Sequence, residues 1–381
     1  MSAVIGILYT PALNQGAGIG RYTRHLVQTL LALPESRRYR FVLWAHGGSP
    51  SPRPWPSHVQ WKAHRLSELT FTRLWDRLRI PLPAEWFVGD IDLFHSPNFT
   101  LPPLRRAIGV VTVHDLSFLR VPECADPGLR AFLADAVPAA VKRAHHILAD
   151  SENTRRDLIE LLDAPPDKIT VVPAGVDPTF CRVKDEARLQ DVRVRYSLPE
   201  RFILSVGRLE PRKNFPRLIA AYALLRERLD PPHHLVIAGG RGWLDDEILA
   251  APARYGVEDW VHFPGFVADE DLPALYSLAD LFAFPSLYEG FGIPPLEAMA
   301  CEVPTIVADN SSLPEVVADA ALLVPATDVD ALAAALERGL TDAEWRSGAI
   351  RAGRRQAERY TWEAAARSLL RAYESALERG R

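Results

Sequence analysis

Short apolar runs, each ending in a small, polar or proline residue and each followed by a segment of helical periodicity, recur along this chain. Val4-Ile5-Gly6-Ile7-Leu8 leads into the glycine-bearing loop Asn14 to Gly20 and then a helical stretch from Arg21, while Phe202 to Val206 leads through a loop into a helix from Pro216. Ile108 to Val113, Ile169 to Val172, Leu235 to Ala238, Val261 to Gly265, Leu281 to Phe284 and Pro304 to Val307 are further strand candidates. Strands that are apolar on both faces and alternate with helices predict parallel sheets covered by helices, an α/β fold. The 381 residues are too many for one ordinary core and suit two domains. Hydrophobic content of 48% and charged content of 24% suit a globular enzyme. The net charge of -4 is uneven: residues 1–150 hold 17 Lys+Arg against 11 Asp+Glu, or +6, leaving -10 for the rest. Cys124, Cys181 and Cys301 have no metal-ligand spacing and suit a reducing compartment. The opening MSAVIGILYTP lacks a basic segment and a long apolar run, so a cytoplasmic protein is expected.

The stretch Ser286 to Ala300, SLYEGFGIPPLEAMA, places Glu289 and Glu297 eight positions apart around a Gly-Phe-Gly turn. Leu281 to Phe284 ahead of it reads as a buried strand, and Pro294-Pro295 as the start of a helix. Gly290 and Gly292 would let the backbone approach a ligand, and the helix N-terminus favours a diphosphate. Glu297, expected in the first helical turn, then reaches ribose hydroxyls, and Glu289, before the turn, reaches a sugar beyond the phosphates. Without other context, the same carboxylates read as a solvated loop residue and a helix-start residue.

Gly16-Ala17-Gly18-Ile19-Gly20 follows a strand, yet its third glycine falls one residue early for a dinucleotide fingerprint, and the second strand, Phe41 to Trp44, does not close on an acidic residue. A nicotinamide site is not expected. Asp90-Ile91-Asp92 has the form of a metal-binding D-x-D, but turn and strand-start carboxylates explain it, and no metal is expected. Phe71, Leu74, Trp75 and Leu78 share one face of a helical repeat with Arg73, Arg77 and Arg79 on others. Such a segment either packs on the first domain's sheet, the favoured reading, or lies on an anionic membrane. His114-Asp115 falls at the carboxyl end of the Ile108 strand, where open α/β sheets bind ligands; Asp115 would orient the imidazole or satisfy nearby backbone donors. Arg208 and Lys213 lie five apart around a proline turn, so both can point at one diphosphate. Arg212 between them is not expected to join that pair.

GIGRYT, VTVHD, GRLEPRKN, and SLYEGFG with LEAMA, in this order over nearly the whole chain, resemble the family-4 retaining glycosyltransferases of the GT-B fold, the group 1 glycosyltransferases. Within that family the chain looks most like bacterial mannosyltransferases of surface polysaccharide assembly. The resemblance implies two Rossmann-like domains facing a cleft: an acceptor domain over residues 1–180, completed by a C-terminal helix over 362–381 that crosses back to it, and a donor domain over 181–361. It implies that Arg208 and Lys213 hold the diphosphate, that Glu289 and His114 hold the transferred sugar, and that Gly18 and Gly20 pack near the donor phosphates. Gly290, Phe291, Gly292, Ile293 and Glu297 would complete the donor site, with the base contacted through the backbone of Phe266-Val267. The implied reaction is retaining transfer of a hexose, best mannose from GDP-mannose, to a glycan or lipid-linked glycan acceptor. No cofactor or metal is required and no nucleic acid is bound, while peripheral contact with the inner face of the membrane is an option. A GT-B nucleotide-sugar epimerase and a catalytically inactive nucleotide-sugar-binding protein are the alternatives. The chain departs from the family pattern at Pro295 and Glu302, which puts local turn geometry in question.

Overall fold

The computed structural model describes residues 2–14, 16, 18–229 and 233–380, which fold into two compact units. The first unit comprises residues 1–116, 128–175 and 362–381, and the second residues 117–127 and 176–361. In the first, β1 (Val4–Leu8), β2 (Arg40–Ala45), β3 (Val59–Ala63), β4 (Leu93–Ser96), β5 (Ile108–Val113), β6 (His146–Ala149) and β7 (Ile169–Val171) form one sheet in the order β3-β2-β1-β4-β5-β6-β7. In the second, β8 (Phe202–Val206), β9 (His234–Ala238), β10 (Val261–Gly265), β11 (Leu281–Phe284), β12 (Thr305–Ala308) and β13 (Leu322–Val324) form another in the order β10-β9-β8-β11-β12-β13.

All recorded strand pairings are parallel. Each sheet grows outward from its first strand, then reverses and continues on the other side with its fourth, which leaves a topological switch point between β1 and β4 and another between β8 and β11. The apolar runs read from the sequence are the central strands: Ile203 and Leu204 of β8, and all of β11 from Leu281 to Phe284, are at most 1% exposed. Helices cover both faces. Leu218, Ile219, Tyr222 and Leu225 of the helix Phe215–Arg226 and Leu332 and Leu336 of the helix Val329–Thr341 join these strands in one core, each fully buried large side chain contributing ~1.5–3 kcal/mol by removal from water.

The helix Trp362–Arg379 belongs to the first unit. Its Trp362, Ala366, Leu369, Tyr373 and Leu377 recur at three- and four-residue spacing and are buried, which turns one continuous stripe inward. Trp362 stacks on His25 at 5.3 Å, and the Tyr373 hydroxyl lies 2.6 Å from Nδ1 of His95 on β4. Nε2 of His95 meets the Thr112 hydroxyl at 2.8 Å, so a buried polar chain links this helix to β4 and β5.

Two local expectations need revision. β3 was not anticipated, because an edge strand of sequence VQWKA is only half-buried and carries no apolar run. Residues 71–78 do not form one regular amphipathic helix: the helix Glu68–Thr72 widens into a π-turn over Arg73–Arg77, which rotates Leu78 off the apolar face. Phe71 and Trp75 are buried against Trp44 and Phe87, as packing on the sheet requires, whereas Leu78 is 66% exposed.

Candidate active site

In the second unit the candidate residues stand on loops leaving the carboxyl ends of β8 and β11, the strands that flank its switch point. The loop after β8 is held from two sides. Gly207 N–H donates to Ala238 O at 2.9 Å and Leu209 N–H to Gly240 O at 3.0 Å, pairing it with the loop after β9. That approach leaves no room for side chains: a Cβ on Gly239 would fall 1.9 Å from Gly207 O, and one on Gly242 2.4 Å from Leu209 O. The chain then makes a 3₁₀ turn over Pro211–Lys213, and Asn214, left-handed at φ 61°, sends its side-chain amide to Pro285 O at 2.9 Å and Ala326 O at 2.7 Å. Leu287 N–H adds a bond to Arg212 O at 2.8 Å.

The loop after β11 is fixed from its far side by the Ser311 and Ser312 hydroxyls. Ser311 Oγ accepts from Glu289 N–H at 2.9 Å, and Ser312 Oγ donates to the carbonyls of Glu289 and Phe291 at 2.9 and 2.6 Å. Gly292 caps the helix Ile293–Ala300 at φ 114°, and a Cβ there would lie 2.9 Å from Leu313. Only glycine satisfies both demands. Gly290, Phe291 and Gly292 are buried, Ile293 is half-buried, and the Phe291 ring packs on Tyr360 at 5.4 Å.

These loops bring Lys213 and Glu289 together: Lys213 Nζ donates to Glu289 Oε1 at 2.7 Å and also lies 4.8 Å from the Phe284 ring. The other carboxylate oxygen, Oε2, accepts from Arg212 at 2.7 Å. Burial by itself would raise the Glu289 pKa, but the charges of Arg212 and Lys213 and the Lys213 hydrogen bond hold it down at about 2. Glu289 is therefore a buried anion with two cations on separate oxygens.

Arg208 is not part of that cluster. It is exposed, with its guanidinium 6.0 Å from the Trp243 ring, and Trp243 is itself anchored by donation from Nε1 to Cys124 O at 2.8 Å. Glu297 also stands apart. It is the fifth residue of its helix, beyond the first turn in which the sequence reading put it, because Gly292 rather than Pro294 sets the helix start. Its carboxylate is 2% exposed and accepts from the Tyr276 hydroxyl at 3.0 Å. Val267 is buried, while its neighbour Phe266 is 65% exposed.

In the first unit, Gly18 at φ 56° precedes the helix Ile19–Ala32, within which Gly20 is buried. His114 follows β5. Its Nδ1 lies 2.7 Å from Asp150 Oδ2 and its Nε2 2.9 Å from Pro97 O, and the ring edges meet Tyr22 at 5.1 Å and Phe99 at 5.4 Å. Both nitrogens face acceptors, which requires a proton on each. Burial opposes that charge, but the Asp150 carboxylate and the Pro97 carbonyl outweigh it and raise the His114 pKa. Of the two roles open to Asp115, orienting the imidazole falls instead to Asp150, which makes the bond, while Asp115 contributes a nearby charge. The parallel register explains why, since Val113 pairs with Ala149 and so His114 and Asp150 are the next residues on adjacent strands. A polar residue directly after each of two consecutive strands is the signal that would have found this pair.

The D-x-D string lies elsewhere. Asp92 accepts from Val4 N–H at 2.7 Å, which ties together the strand starts, and among the described residues no group of His, Cys, Asp and Glu is placed to hold a metal ion. No described helix is long and apolar enough to cross a membrane.

Residues 191–356 match the family described as glycosyl transferases group 1, and residues 16–180 the one described as glycosyltransferase family 4. The chain is 34% identical over 366 residues to the O-antigen chain mannosyltransferase B of Escherichia coli, covering 93% of this chain and 95% of that one. Among solved structures it resembles sucrose-phosphate synthase of Thermosynechococcus elongatus, with a TM-score of 0.75 at 22% identity over 98% of each chain. It also resembles Anabaena HepE in complex with UDP and glucose, with a TM-score of 0.71 at 18% identity over 98% of this chain and 100% of that one. Identities this low speak for the GT-B fold alone.

Proposed function

The chain belongs to the group 1 and family-4 glycosyltransferases, and from that premise we propose that it transfers mannose from GDP-mannose, with retention of anomeric configuration, to a glycan or lipid-linked glycan. The observation that carries the donor site is the Lys213–Glu289 pair, presented by loops at the carboxyl ends of β8 and β11 beside a capped helix N-terminus. A diphosphate at that helix end gains from the positive end of the helix dipole, and Lys213 supplies a compact positive charge where the leaving group becomes more negative. Arg208, exposed on the same loop, adds a second cation able to fork onto phosphate oxygens. Glu297 takes the ribose and Val267 meets the base through its backbone, with Gly290 to Ile293 forming the floor. Glu289 holds the sugar, its buried carboxylate accepting the hydroxyls; His114, whose two ring nitrogens face Asp150 and Pro97, is assigned to the sugar by the family resemblance alone, and no nucleophile is assigned.

Mannose rather than another hexose is supported by the E. coli mannosyltransferase similarity. GDP as the nucleotide, the absence of a metal requirement, and placement of Gly18 and Gly20 near the phosphates follow from the family resemblance. Peripheral membrane contact through the first unit is supported by the exposed Leu69, Leu78 and Trp86 and by the excess positive charge of residues 1–150, and a cytoplasmic location by cysteines that suit a reducing compartment.

Thermal unfolding of the purified protein against GDP-, UDP- and ADP-sugars and their parent diphosphates tests the donor, because a ligand at 100 times its dissociation constant adds ~2.7 kcal/mol. GDP and GDP-mannose should raise Tm selectively without added metal. A UDP preference would replace the donor, and a β-linked product from the α-linked donor would remove retention. No shift with any nucleotide would defeat the assigned donor site.

A further inference from the structure

Arg212 makes more specific contacts than either cation that the sequence singled out. It follows Pro211 in the 3₁₀ turn, and its side chain is 18% exposed. Nη1 donates to Glu289 Oε2 at 2.7 Å and to Tyr288 O at 2.7 Å, while Nη2 donates to Glu210 Oε1 at 2.7 Å. The guanidinium thus joins the backbone and carboxylate of the β11 loop to a second carboxylate, 4% exposed, on the β8 loop. Its planar fork can satisfy all three acceptors at once, which an ammonium on a flexible stem cannot do in the same geometry.

The division of labour on Glu289 is what matters. Lys213 holds Oε1 and Arg212 holds Oε2. If Lys213 is recruited by a diphosphate, as the proposed function requires, Oε1 loses its partner. A buried carboxylate stripped of its only cation would take up a proton or turn away. With Arg212 still on Oε2, it stays ionised and in place, and Oε1 becomes available as an acceptor.

We propose that Arg212 is a positioning residue for sugar transfer: it anchors Glu289 through Oε2 and the Tyr288 carbonyl, so that Lys213 is released to the donor diphosphate and Oε1 to a sugar hydroxyl. Glu210 fixes the guanidinium from the opposite side. This rests on the donor-site reading above. Arg212 acts through Glu289 and need not touch the phosphates, which separates it from Arg208 and Lys213.

The test is Arg212→Ala, with Arg212→Lys and Glu210→Gln as companions that disturb the turn less. Steady-state kinetics, nucleoside diphosphate affinity, and the titration of Glu289 by carboxyl-carbon NMR of 13C-glutamate-labelled protein are measured for each, with Glu289→Gln used to assign the signal. Expected for Arg212→Ala is a kcat at least thirtyfold lower, a diphosphate Kd within about threefold of wild type, a Glu289 midpoint moved upward, and partial recovery of kcat by added guanidinium. Glu210→Gln should move kcat in the same direction by less. Loss of diphosphate affinity matching the loss of kcat would overturn the proposal, as would an unmoved Glu289 midpoint or a kcat within threefold of wild type. The two readings fail separately. A wild-type protein inactive with every donor defeats the glycosyl-transfer assignment while the NMR midpoint still reports on the anchor; an active wild type whose Arg212 variants are equally active defeats only the anchor.

Discussion

Glu289→Gln isolates the electrostatics of the second unit, because the amide keeps the shape of the protonated acid and removes only the charge. The carboxylate is held at about 2 against an ordinary 4.5, which corresponds to ~3 kcal/mol of preference for the ionised form in the folded state over the unfolded one. The substitution should therefore destabilise the second unit by ~3 kcal/mol at neutral pH and raise the local opening equilibrium roughly two orders of magnitude. Lys213, 10% exposed, would be left with a neutral partner, so adding Lys213→Met should return part of the loss. Because the folded-state pKa is depressed, the stabilisation is fully present above the unfolded value of 4.5 and is lost as pH falls from there toward 2. The suitable assay is native-state hydrogen exchange of peptides covering β8, β11 and β12, which reports on the second unit without requiring one unfolding transition for the whole chain. Wild-type and variant exchange should differ by a constant factor between pH 6 and 8 after correction for intrinsic rates, and opening free energies measured by denaturant should converge below pH 4.5. A difference under threefold at neutral pH, or one that persists undiminished at pH 3, would refute the reasoning.

Three other perturbations probe separate parts of the structure. Tyr373→Phe leaves Nδ1 of the fully buried His95 without its partner and should cost ~1–3 kcal/mol, read as faster exchange along the helix Trp362–Arg379. Asp150→Asn should return the raised His114 pKa toward or below 6.5, measured by imidazole proton NMR. A raised folded pKa means that this ion pair's stabilisation is present below 6.5 and is lost as pH rises through the folded value, so the variant should differ from wild type more at pH 6 than at pH 9. Gly239→Ala forces a Cβ against Gly207 O, a contact of 1.9 Å, and must displace the loop that carries Arg208; diphosphate affinity measured by calorimetry should fall at least tenfold while the far-ultraviolet circular dichroism of the protein is kept.

The parallel α/β architecture was legible because β5, β8 and β11 are central strands covered on both faces, so their residues are apolar without alternation and announce themselves as continuous runs. β3 lacked that pressure at the sheet edge, where half-burial permits Gln60 and Lys62. The residues of the loop after β11 were legible as chemistry: a Gly-Phe-Gly turn before Pro294 says that backbone conformation matters, and charged residues beside it invite a ligand. How those charges pair was not. Arg212 is one of several basic residues on its loop, and Asp150 stands between the end of β6 and the Ser151 cap of the next helix.

What the sequence by itself determined is the alternation of buried strand, turn and helix, the glycines at 239 and 292, where a Cβ would clash, and the residue types available at each strand end. What only the tertiary structure decided is partnership: Lys213 and Arg212 on separate oxygens of Glu289, Asp150 rather than Asp115 on His114, and Tyr276 on Glu297. The physical reason is the range of the forces involved. Burial and backbone geometry act residue by residue and leave their mark on local pattern, whereas a hydrogen bond between buried charges is set by which strand lies beside which. Residues 76 or 77 positions apart, such as Glu289 and its two cations, become neighbours only when β8 and β11 close the centre of the sheet.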